Sequence, residues 1–337
     1  MEIFAVIMAG GSGERLWPLS TPLRPKQFVT LFGGKPLIRH ALDRLAGLVP
    51  VENVLVVTAK TLVGATREAL PSLPKANVLA EPCLRNTAPA IALACAEVRR
   101  RGGGDAVVAV LTADHLIGPD RAFRATLKKA ARLAAVSDSV VTIGIRPTFP
   151  STGFGYIDAA SEPPSFVEKP DAKTARRFLK RGTYLWNSGM FIFREGVMER
   201  ALRAFAPDVA RLLDARRPLA LYPSIKAISI DYAVMEKLRG LKVVPASFHW
   251  DDVGAWDSVA DKLGVDRDGN AFRGEVAALD TTGSLVVSEP GTVTAVMGLK
   301  DVVVVNTGKV TLVMDRRSAQ GVKKLVALAS GLDSARR

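Results

Sequence analysis

The chain has 337 residues, of which 48% are hydrophobic and 23% are charged, a balance typical of a globular protein with a large core. No apolar run is long enough to cross a membrane, no secretory signal opens the chain, and two cysteines make no disulfide framework, so we expect a cytoplasmic protein. The formal net charge of +13 favours anionic partners, but the basic residues are spread along predicted helix faces and only 6% of residues are aromatic, which disfavours nucleic acid.

The first 150 residues alternate short apolar runs with segments of helical periodicity. Strands are predicted at residues 4–8, 54–58, 78–80, 107–111 and 140–145, and helices at 36–48, 62–70, 88–101 and 122–135. The strands lack strict alternation of apolar and polar residues, as expected where both faces of a sheet are covered. The pattern predicts an α/β fold with a Rossmann-like, mixed but mostly parallel sheet flanked by helices.

After Pro150 the predicted elements become shorter. Strands at 155–157, 165–167, 189–193 and 242–248 alternate with helices at 172–179, 196–206 and 255–263. From about Asn270 the chain consists of valine-rich strands separated by Gly, Asn and Asp turns, with a final helix near 320–329. We therefore expect two domains, residues 1–268 and residues 269–337, and the second is a small β domain whose spacing fits either a β-helix fragment or a small sandwich.

A glycine-rich segment, GGSGERLWPLSTPLRPKQF, occupies residues 10–28 after the first predicted strand. Glycines at this edge of a parallel sheet let a phosphate approach backbone N–H groups. Leu16 stands where a dinucleotide-binding fingerprint has its third glycine, and no Gly-Lys-Ser/Thr follows, so neither a dinucleotide loop nor a Walker loop is predicted. The cations Arg15 and Lys26 suit a bound triphosphate, and the alternative is a tight turn with surface charges.

The same segment resembles the signature loop of the sugar-1-phosphate nucleotidylyltransferases, and in particular of their mannose-1-phosphate guanylyltransferase branch. Further segments resemble that branch in the same order: EPCLRNTAPAIALA at 81–94, LTADHLI at 111–117, FGYI at 154–157, FVEKP at 166–170, YLWNSGMFIF at 184–193, SIDYAVMEK at 229–237 and WDDVGAW at 250–256. Glu14 stands where the family often has Thr, and Thr112 where it usually has Pro. Neither departure removes a charged group that the chemistry needs.

The resemblance implies that GMP is transferred from GTP to mannose 1-phosphate, giving GDP-mannose and pyrophosphate. The attacking sugar phosphate is already an anion, so catalysis requires positioning and positive charge rather than a general base. The resemblance also implies a Mg²⁺ ion held by Asp114 and Asp252, in preference to Asp251. A zinc site at His115 is disfavoured, because the three histidines of the chain lack metal-ligand spacing.

The other site residues implied by the resemblance fall into three groups. The catalytic cations are Arg15, Lys26 and Lys169. The nucleotide site comprises Gly10, Gly11, Gly13, Glu81, Arg85, Asn86 and Thr87. The mannose site comprises Gly155, Glu168 and Asn187. Within these groups, the Glu81 carboxylate would accept hydrogen bonds from the N1–H and the 2-amino group of guanine. Adenine offers no such pair of donors.

Simpler interpretations remain beside these roles. Lys169 also fits a turn before Pro170, and Asn86 or Thr87 also fits the N-cap of the predicted helix at 88–101.

The C-terminal β domain, by resemblance, is a left-handed β-helix that builds a homodimer.

Two alternative functions stay open. One is a nucleotidylyltransferase that uses glucose 1-phosphate with UTP or dTTP, and the other is a sugar-nucleotide sensor without catalytic activity.

Overall fold

The computed structural model describes residues 2–11 and 13–334. Among these residues no helix combines the length and the apolar character that a membrane crossing requires. The strands, in chain order, are β1 (Ile3–Met8), β2 (Val54–Ala59), β3 (Val78–Glu81), β4 (Val107–Thr112), β5 (Leu116–Gly118), β6 (Val141–Ile145), β7 (Tyr156–Asp158), β8 (Ser165–Val167), β9 (Tyr184–Arg194), β10 (Lys242–Pro245), β11 (His249–Asp251), β12 (Ala271–Arg273), β13 (Glu275–Leu279), β14 (Leu285–Ser288), β15 (Val293–Met297), β16 (Val302–Asn306) and β17 (Thr311–Asp315).

The helices of the same residues are α1 (Leu37–Asp43), α2 (Val63–Ala69), α3 (Thr87–Arg100), α4 (Asp120–Ala135), α5 (Ala172–Arg181), α6 (Glu195–Phe205), α7 (Pro207–Asp214), α8 (Pro218–Leu221), α9 (Trp256–Lys262) and α10 (Val322–Ser334). Short 3₁₀ turns extend several of them, and a π-helical turn spans Asp231–Met235.

The chain forms two compact units, each built from several segments. Unit 1 comprises Met1–Gly10, Ala41–Ala113 and Ile117–Trp250, and unit 2 comprises Gly11–His40, Asp114–Leu116 and Asp251–Arg337. Compact units and sequence domains are different divisions of a chain, so the domains at 1–268 and 269–337 stay a prediction. Residues 1 and 335–337 of those domains lie outside the described residues.

Unit 1 contains a mixed sheet with the strand order β10-β6-β9-β4-β1-β2-β3. β1 pairs in parallel with both β2 and β4, β2 pairs in parallel with β3, and β10 with β6. β9 lies antiparallel between β4 and β6 and also pairs with β7. This sheet confirms the predicted α/β fold with a mixed, mostly parallel sheet, because the parallel strands β4, β1, β2 and β3 are its continuous half.

The helix α3 shows how the sequence covers this sheet. Its first eight side chains after Thr87 are alanine, proline, isoleucine, leucine and cysteine; all eight are buried, and all except Pro89 belong to the apolar core of unit 1. Small side chains let a helix approach its neighbours closely on every side, so α3 lies between the sheet and the helices α6 and α7.

The C-terminal strands of unit 2 follow a coiled path. The chain passes alternately through two sheets, so that β12, β14 and β16 pair in parallel in one sheet and β13 and β15 pair in parallel in the other. Leu285 pairs with Val303 and Glu275 with Val293, so these two steps take 18 residues each, whereas the first step, from Ala271 to Leu285, takes 14. Such a path is that of a β-helix, and β17 ends it by pairing antiparallel to β16. The left-handed sense stays a prediction.

The core of unit 2 joins its N-terminal segment to the coil. Leu16, Leu31 and Leu37 of the first segment pack with Trp256 and with valines of β14 and β16. The indole N–H of Trp256 donates to the carbonyl oxygen of Trp17 at 2.9 Å. This core fixes the backbone that follows the glycine-rich loop.

Some predicted elements differ from the observed ones. The helix predicted at 36–48 ends at Asp43, because 3₁₀-type turns follow and Gly47 adopts a φ of +77°. The strand predicted at 242–248 ends at Pro245, which has no N–H to donate, and a separate strand begins at His249. The predicted final helix at 320–329 lies within α10 and the 3₁₀ turn before it.

Candidate functional site

One cluster of charged side chains lies within unit 2. The Lys26 ammonium is 2.8 Å from Asp114 Oδ2 and donates to the carbonyl oxygen of Asp252. The Lys26 side chain is 9% exposed, so this ion pair is shielded from solvent on the lysine side. Each of the three segments of unit 2 contributes one of these residues. The structure therefore brings together the two predicted metal ligands and one predicted cation.

Within the glycine-rich segment, Gly13 lies directly against Lys26. Gly13 has a φ of +49°, and a Cβ added to it would lie 2.5 Å from Lys26 Cβ and 2.8 Å from the Lys26 backbone nitrogen. Only glycine fits such a close approach at positive φ. Gln27 also donates to the carbonyl oxygen of Gly11 at 3.4 Å. Ser12, between these glycines, lies outside the described residues.

The pKa values of the two carboxyl groups in this cluster shift in opposite directions, because nearby positive charge prevails at Asp114 and burial prevails at Asp252. Burial opposes ionisation of Asp114, but the positive charge of Lys26 and the His115 ring outweigh burial and lower the pKa of Asp114. Burial raises the pKa of Asp252, with Lys26 and Arg15 opposing that rise. Arg15 itself is exposed, so its guanidinium can reach a ligand in solution.

The neighbouring carboxylate of Asp251 has other partners. Asp251 Oδ1 accepts the backbone N–H of Val253 at 2.7 Å, and its Oδ2 is 3.5 Å from Lys262 Nζ. Val253 is buried with a φ of +46°, which is a strained conformation for a β-branched residue. The backbone after Asp252 is thus held in place by Asp251, which favours Asp252 as the group that faces a ligand.

The donor set fits a hard divalent cation. In the part of the chain that the structure describes, no three His, Cys, Asp or Glu side chains converge on one point. Mg²⁺ in phosphate-binding sites needs only one or two carboxylates, because phosphate oxygens and water complete its shell. Asp114 and Asp252 are a pair of oxygen donors of that kind. The metal itself stays a prediction.

The predicted base site begins with Gly10 and Glu81 in unit 1. Glu81 ends β3 and is buried, and a Cβ added to Gly10 would lie 2.9 Å from Glu81 Oε2. The other oxygen, Oε1, accepts a 2.5 Å hydrogen bond from the hydroxyl of Tyr222. Burial raises the pKa of Glu81, and the Tyr222 bond acts against that rise. The structure therefore brings Glu81 to the turn after β1.

The segment after Glu81 starts α3. Asn86 is the N-cap with a φ of +67°, and its side chain accepts the backbone N–H of Thr87 at 2.8 Å. Thr87 Oγ1 accepts the N–H of Ile230 at 2.8 Å, and Arg85 donates from Nη2 to the carbonyl oxygen of Pro223. The alternative prediction of a helix N-cap is thus confirmed for Asn86. Their contact with a nucleotide stays a prediction.

The predicted sugar residues meet at a second place in unit 1. Lys169 Nζ is 2.5 Å from Glu168 Oε1, and a Cβ added to Gly155 would lie 2.6 Å from Glu168 Oε2. Burial disfavours the charged form of Lys169, but the Glu168 carboxylate outweighs burial and raises the pKa of Lys169. Lys169 has a φ of +43° and its side chain is half exposed, so the ammonium is available to an anionic ligand.

Asn187 is fixed beside this pair by hydrogen bonds on both ends of its amide. Its Oδ1 accepts from the Thr142 hydroxyl at 3.1 Å and from the N–H of Gly189 at 3.2 Å. Its Nδ2 donates to Asp231 Oδ1 at 3.1 Å. The amide orientation is therefore set, and one Nδ2 proton remains for a hydroxyl of a ligand.

Sequence reasoning missed two of these partners. Asp231 was noted only as part of the motif SIDYAVMEK, and no partner was predicted for it. Burial, followed by the charge of Glu168, raises the pKa of Asp231 to about 6. Tyr222 carried no signal, because it lies 141 residues from Glu81 and outside every motif of the sequence. The motif SIDYAVMEK marks Asp231, and no feature of composition or periodicity marks Tyr222.

Comparison with known proteins gives the family. The family model of nucleotidyl transferases matches residues 4–266, and the model of the MannoseP isomerase/GMP-like beta-helix domain matches residues 274–328. The mannose-1-phosphate guanylyltransferase of Escherichia coli K12 is 40% identical over 96% of this chain and 73% of its own length. The xanthan biosynthesis protein XanB of Xanthomonas campestris pv. campestris B100 is 39% identical over 97% of this chain and 73% of its own length.

A solved structure from Thermus thermophilus, described as a mannose-1-phosphate geranyltransferase, superposes with a TM-score of 0.89. It is 36% identical and covers 98% of this chain and 100% of that one. The expected fold, including the β-helix-like C-terminal strands, is confirmed by these matches. The chain belongs to the nucleotidyl transferase family, in the branch of the mannose-1-phosphate guanylyltransferases.

Proposed function

We propose that the protein transfers GMP from GTP to α-D-mannose 1-phosphate and releases pyrophosphate. A phosphate oxygen of the sugar forms a bond to the α-phosphorus, and the bond from that phosphorus to the bridging oxygen of pyrophosphate breaks in line. The observation that carries the proposal is the ion pair of Lys26 and Asp114 beside Asp252. A buried charge next to a glycine-rich loop suits a phosphate group.

Positive charge is the main contribution of the chain to this reaction. Lys26 and Arg15 would bind the triphosphate and stabilise the charge that develops on pyrophosphate, with Gly11 and Gly13 keeping the loop backbone free of side chains. Lys169 would hold the phosphate of mannose 1-phosphate. No general base is needed, since the attacking oxygen is already an anion.

The sugar and the base would each be recognised by an acidic residue. Glu168 and Asn187 would bind mannose hydroxyls, and Gly155 leaves space for them. Glu81 would accept from guanine, with Arg85, Asn86 and Thr87 beside it. In support of this assignment, the carboxylates of Glu81 and Glu168 are both buried, and each lies next to a glycine, where no Cβ fills the space.

Mg²⁺ is the cofactor in this proposal, held by Asp114 and Asp252. When bound, Mg²⁺ supplies positive charge that reduces the repulsion between the two phosphates. Asp114→Asn and Asp252→Asn should each weaken Mn²⁺ binding in the presence of GTP, measured by electron paramagnetic resonance. Asp268→Asn, an exposed carboxylate of the same unit, should leave Mn²⁺ binding unchanged. Equal Mn²⁺ affinity in all three variants would reject this metal site.

Product analysis tests the reaction itself. The purified protein with Mg²⁺, GTP and mannose 1-phosphate should yield GDP-mannose, detected by anion-exchange chromatography. Lys26→Ala should lower turnover by about 10²–10³, the effect of losing one preorganised charge, while exposed Lys60→Ala should not. Faster turnover of glucose 1-phosphate with UTP or dTTP would establish the alternative substrate pair. The absence of any nucleotide-sugar product would favour the sensor.

A homodimer is part of the proposal. On the outer face of the sheet of β13 and β15, an apolar strip comprises Ala277, Leu279, Val293, Ala295 and Met297, and Leu279, Val293 and Met297 are each more than half exposed. A contiguous apolar face on a regular sheet fits a second copy of the same face. Leu279→Lys with Met297→Lys should give a monomer in light scattering, whereas Val136→Lys on the surface of unit 1 should not. A dimer that survives the double change would exclude the strip.

The cytoplasm is the proposed compartment. Both cysteines, Cys83 and Cys95, are free thiols, and GTP as a substrate is a cytoplasmic metabolite. Activity recovered in the soluble fraction of lysed cells, together with a cytoplasmic marker enzyme, is the expected result.

A further inference from the structure

Tyr222 forms a buried contact that the reaction scheme does not use. Its side chain is fully buried at the start of the 3₁₀ turn Tyr222–Ser224, and its hydroxyl donates to Glu81 Oε1 at 2.5 Å. Burial and the charge of Glu81 raise the pKa of Tyr222, so the hydroxyl keeps its proton and remains a donor. A short hydrogen bond from a buried hydroxyl to a carboxylate fixes the orientation of both groups.

The second oxygen of Glu81 points to the turn after β1. A Cβ added to Gly10 would approach Oε2 to 2.9 Å, so the glycine leaves that oxygen uncovered by a side chain. With Oε1 occupied by Tyr222, the carboxylate cannot turn about its χ3 torsion without losing this bond. Oε2 is therefore kept on the Gly10 side.

The turn that carries Tyr222 also holds Arg85. The guanidinium of Arg85 donates from Nη2 to the carbonyl oxygen of Pro223, the residue next to Tyr222. Glu81 and Arg85, the two charged residues of the predicted base site, are thus attached to one short turn. Such shared anchoring positions two recognition groups relative to each other.

We propose that Tyr222 is a specificity-determining positioning residue, whose hydroxyl holds the ionised Glu81 carboxylate toward the N–H-bearing edge of guanine. Adenine has no N1–H and no 2-amino group, so a fixed carboxylate is left without a donor when adenine enters, and this disfavours ATP. The inference rests on the proposed function and assigns the base specificity of that site to a second residue.

Tyr222→Phe removes only the hydroxyl and keeps the ring. We expect the KM for GTP to rise about tenfold, the effect of one hydrogen bond to a charged group, with a much smaller change in kcat. The preference for GTP over ITP, whose base lacks the 2-amino group, should fall several-fold in kcat/KM. Unchanged KM and unchanged preference would overturn the proposal.

The pH dependence separates positioning from a merely structural role. Protonation of Glu81 removes the acceptor, so the KM for GTP should rise as pH falls through the pKa of Glu81. Without the hydroxyl this carboxyl is more easily protonated, so in Tyr222→Phe the rise should begin at higher pH. A pH profile that coincides with that of the unchanged protein would contradict the proposal.

A double change tests whether Tyr222 acts through Glu81. Glu81→Gln should remove the pH dependence and lower the preference for GTP over ITP. In the Glu81→Gln background, Tyr222→Phe should change that preference by less than about twofold, because the group that it positions is gone. Additive effects of the two changes would overturn the mechanism.

Tyr184→Phe is the matched control. Tyr184 is also buried in unit 1, and its hydroxyl bonds the carboxylate of Asp158. We expect this variant to lose thermal stability comparably to Tyr222→Phe while keeping the KM for GTP and the preference over ITP. An equal loss of preference in both variants would show that the effect is structural. If the unchanged protein forms no GDP-mannose, the proposed function fails. If it does form GDP-mannose but Tyr222→Phe has the same KM for GTP and the same preference for GTP over ITP, only the inference about Tyr222 fails.

Discussion

Individual glycines face carboxylates at four places in the part of the chain that the structure describes. In each, a Cβ on the glycine would lie within 3.0 Å of a carboxylate oxygen: Gly10 with Glu81, Gly155 with Glu168, Gly254 with Asp252, and Gly283 with Asp301. Real Cβ atoms are not found so close to a fixed oxygen, so an alanine would displace the carboxylate or the backbone. The sequence therefore places glycines where acidic groups must lie close to the main chain.

Gly155→Ala tests this at the predicted sugar site. The added Cβ would lie 2.6 Å from Glu168 Oε2 and 2.9 Å from the Phe166 ring, so Glu168 must move. We expect the KM for mannose 1-phosphate to rise by on the order of tenfold to a hundredfold, with little change in the KM for GTP. Gly153→Ala is the control, because its Cβ would be 3.6 Å from its nearest neighbour. Equal kinetics in the two variants would argue against a sugar site at Glu168.

Asp231 gives the molecule a pH-dependent stability. Burial, followed by the charge of Glu168, raises its pKa to about 6 in the folded protein from 3.8 in the unfolded chain. Folding therefore favours the protonated form, and this group makes the protein more stable as pH falls from about 7 toward 4. The difference of about two pKa units corresponds to at most about 3 kcal/mol.

Asp231→Asn removes that titration. The free energy of unfolding of the variant, relative to that of the unchanged protein, should be largest at pH 7.5 and should decrease as the pH is lowered to 5. Urea unfolding at pH 7.5, 6.5 and 5 measures both proteins. A constant difference over this range would show that Asp231 titrates with an ordinary pKa.

Among the structural elements, buried parallel strands were predictable from sequence. The runs at 4–8, 54–58 and 107–111 become β1, β2 and β4 with one added residue each, because apolar runs of that length are buried on both faces. β9 was predicted only at 189–193 and in fact spans Tyr184–Arg194. Its polar residues Asn187 and Ser188 interrupt the apolar pattern by which a strand is predicted. In the structure both are buried and hydrogen-bonded beside a β-bulge.

In the candidate site too, some residues were predictable from sequence and others were not. Motifs predicted the side chains that stand at strand ends or in loops, and the structure groups Lys26 with Asp114 and Asp252, and Glu168 with Lys169 and Asn187. The buried supports of these groups were not predictable, because Tyr222 and Thr142 are set by tertiary packing and have no local pattern. Sequence reveals groups that act on a ligand more readily than the groups that hold them.

Turns from one sheet of the β-helix to the other offer a matched pair of glycines. Gly274 has a φ of +83°, and a Cβ there would lie 2.0 Å from the carbonyl oxygen of Ser288, whereas Gly291 has a φ of +82° with open space around it. Gly291→Ala should cost about 1–2 kcal/mol from backbone strain, and Gly274→Ala should cost distinctly more, because two coils must separate. Chemical unfolding of both variants gives the comparison, and equal losses would mean that the turn at Gly274 relaxes freely.

For the whole molecule, the charge of +13 sets the response to salt. Both proposed substrates are anions, and a net positive protein attracts them over about a Debye length, which is about 10 Å at 0.1 M salt and about 3 Å at 1 M. Raising KCl from 0.05 to 0.5 M should therefore increase the KM for GTP several-fold while kcat changes little. Sucrose at the same osmolarity is the control, and a KM that does not respond to KCl would show that only local contacts hold the nucleotide.

The cluster at Lys26 requires residues from across the chain. Lys26 and Asp252 are 226 positions apart, and Asp114 comes from a third segment. A polypeptide emerging from the ribosome therefore holds its lysine and first aspartate long before their counterpart is synthesised. A nascent chain that stops before residue 252 therefore lacks one of the two carboxylates of the proposed metal site, although its lysine and first aspartate are already in place.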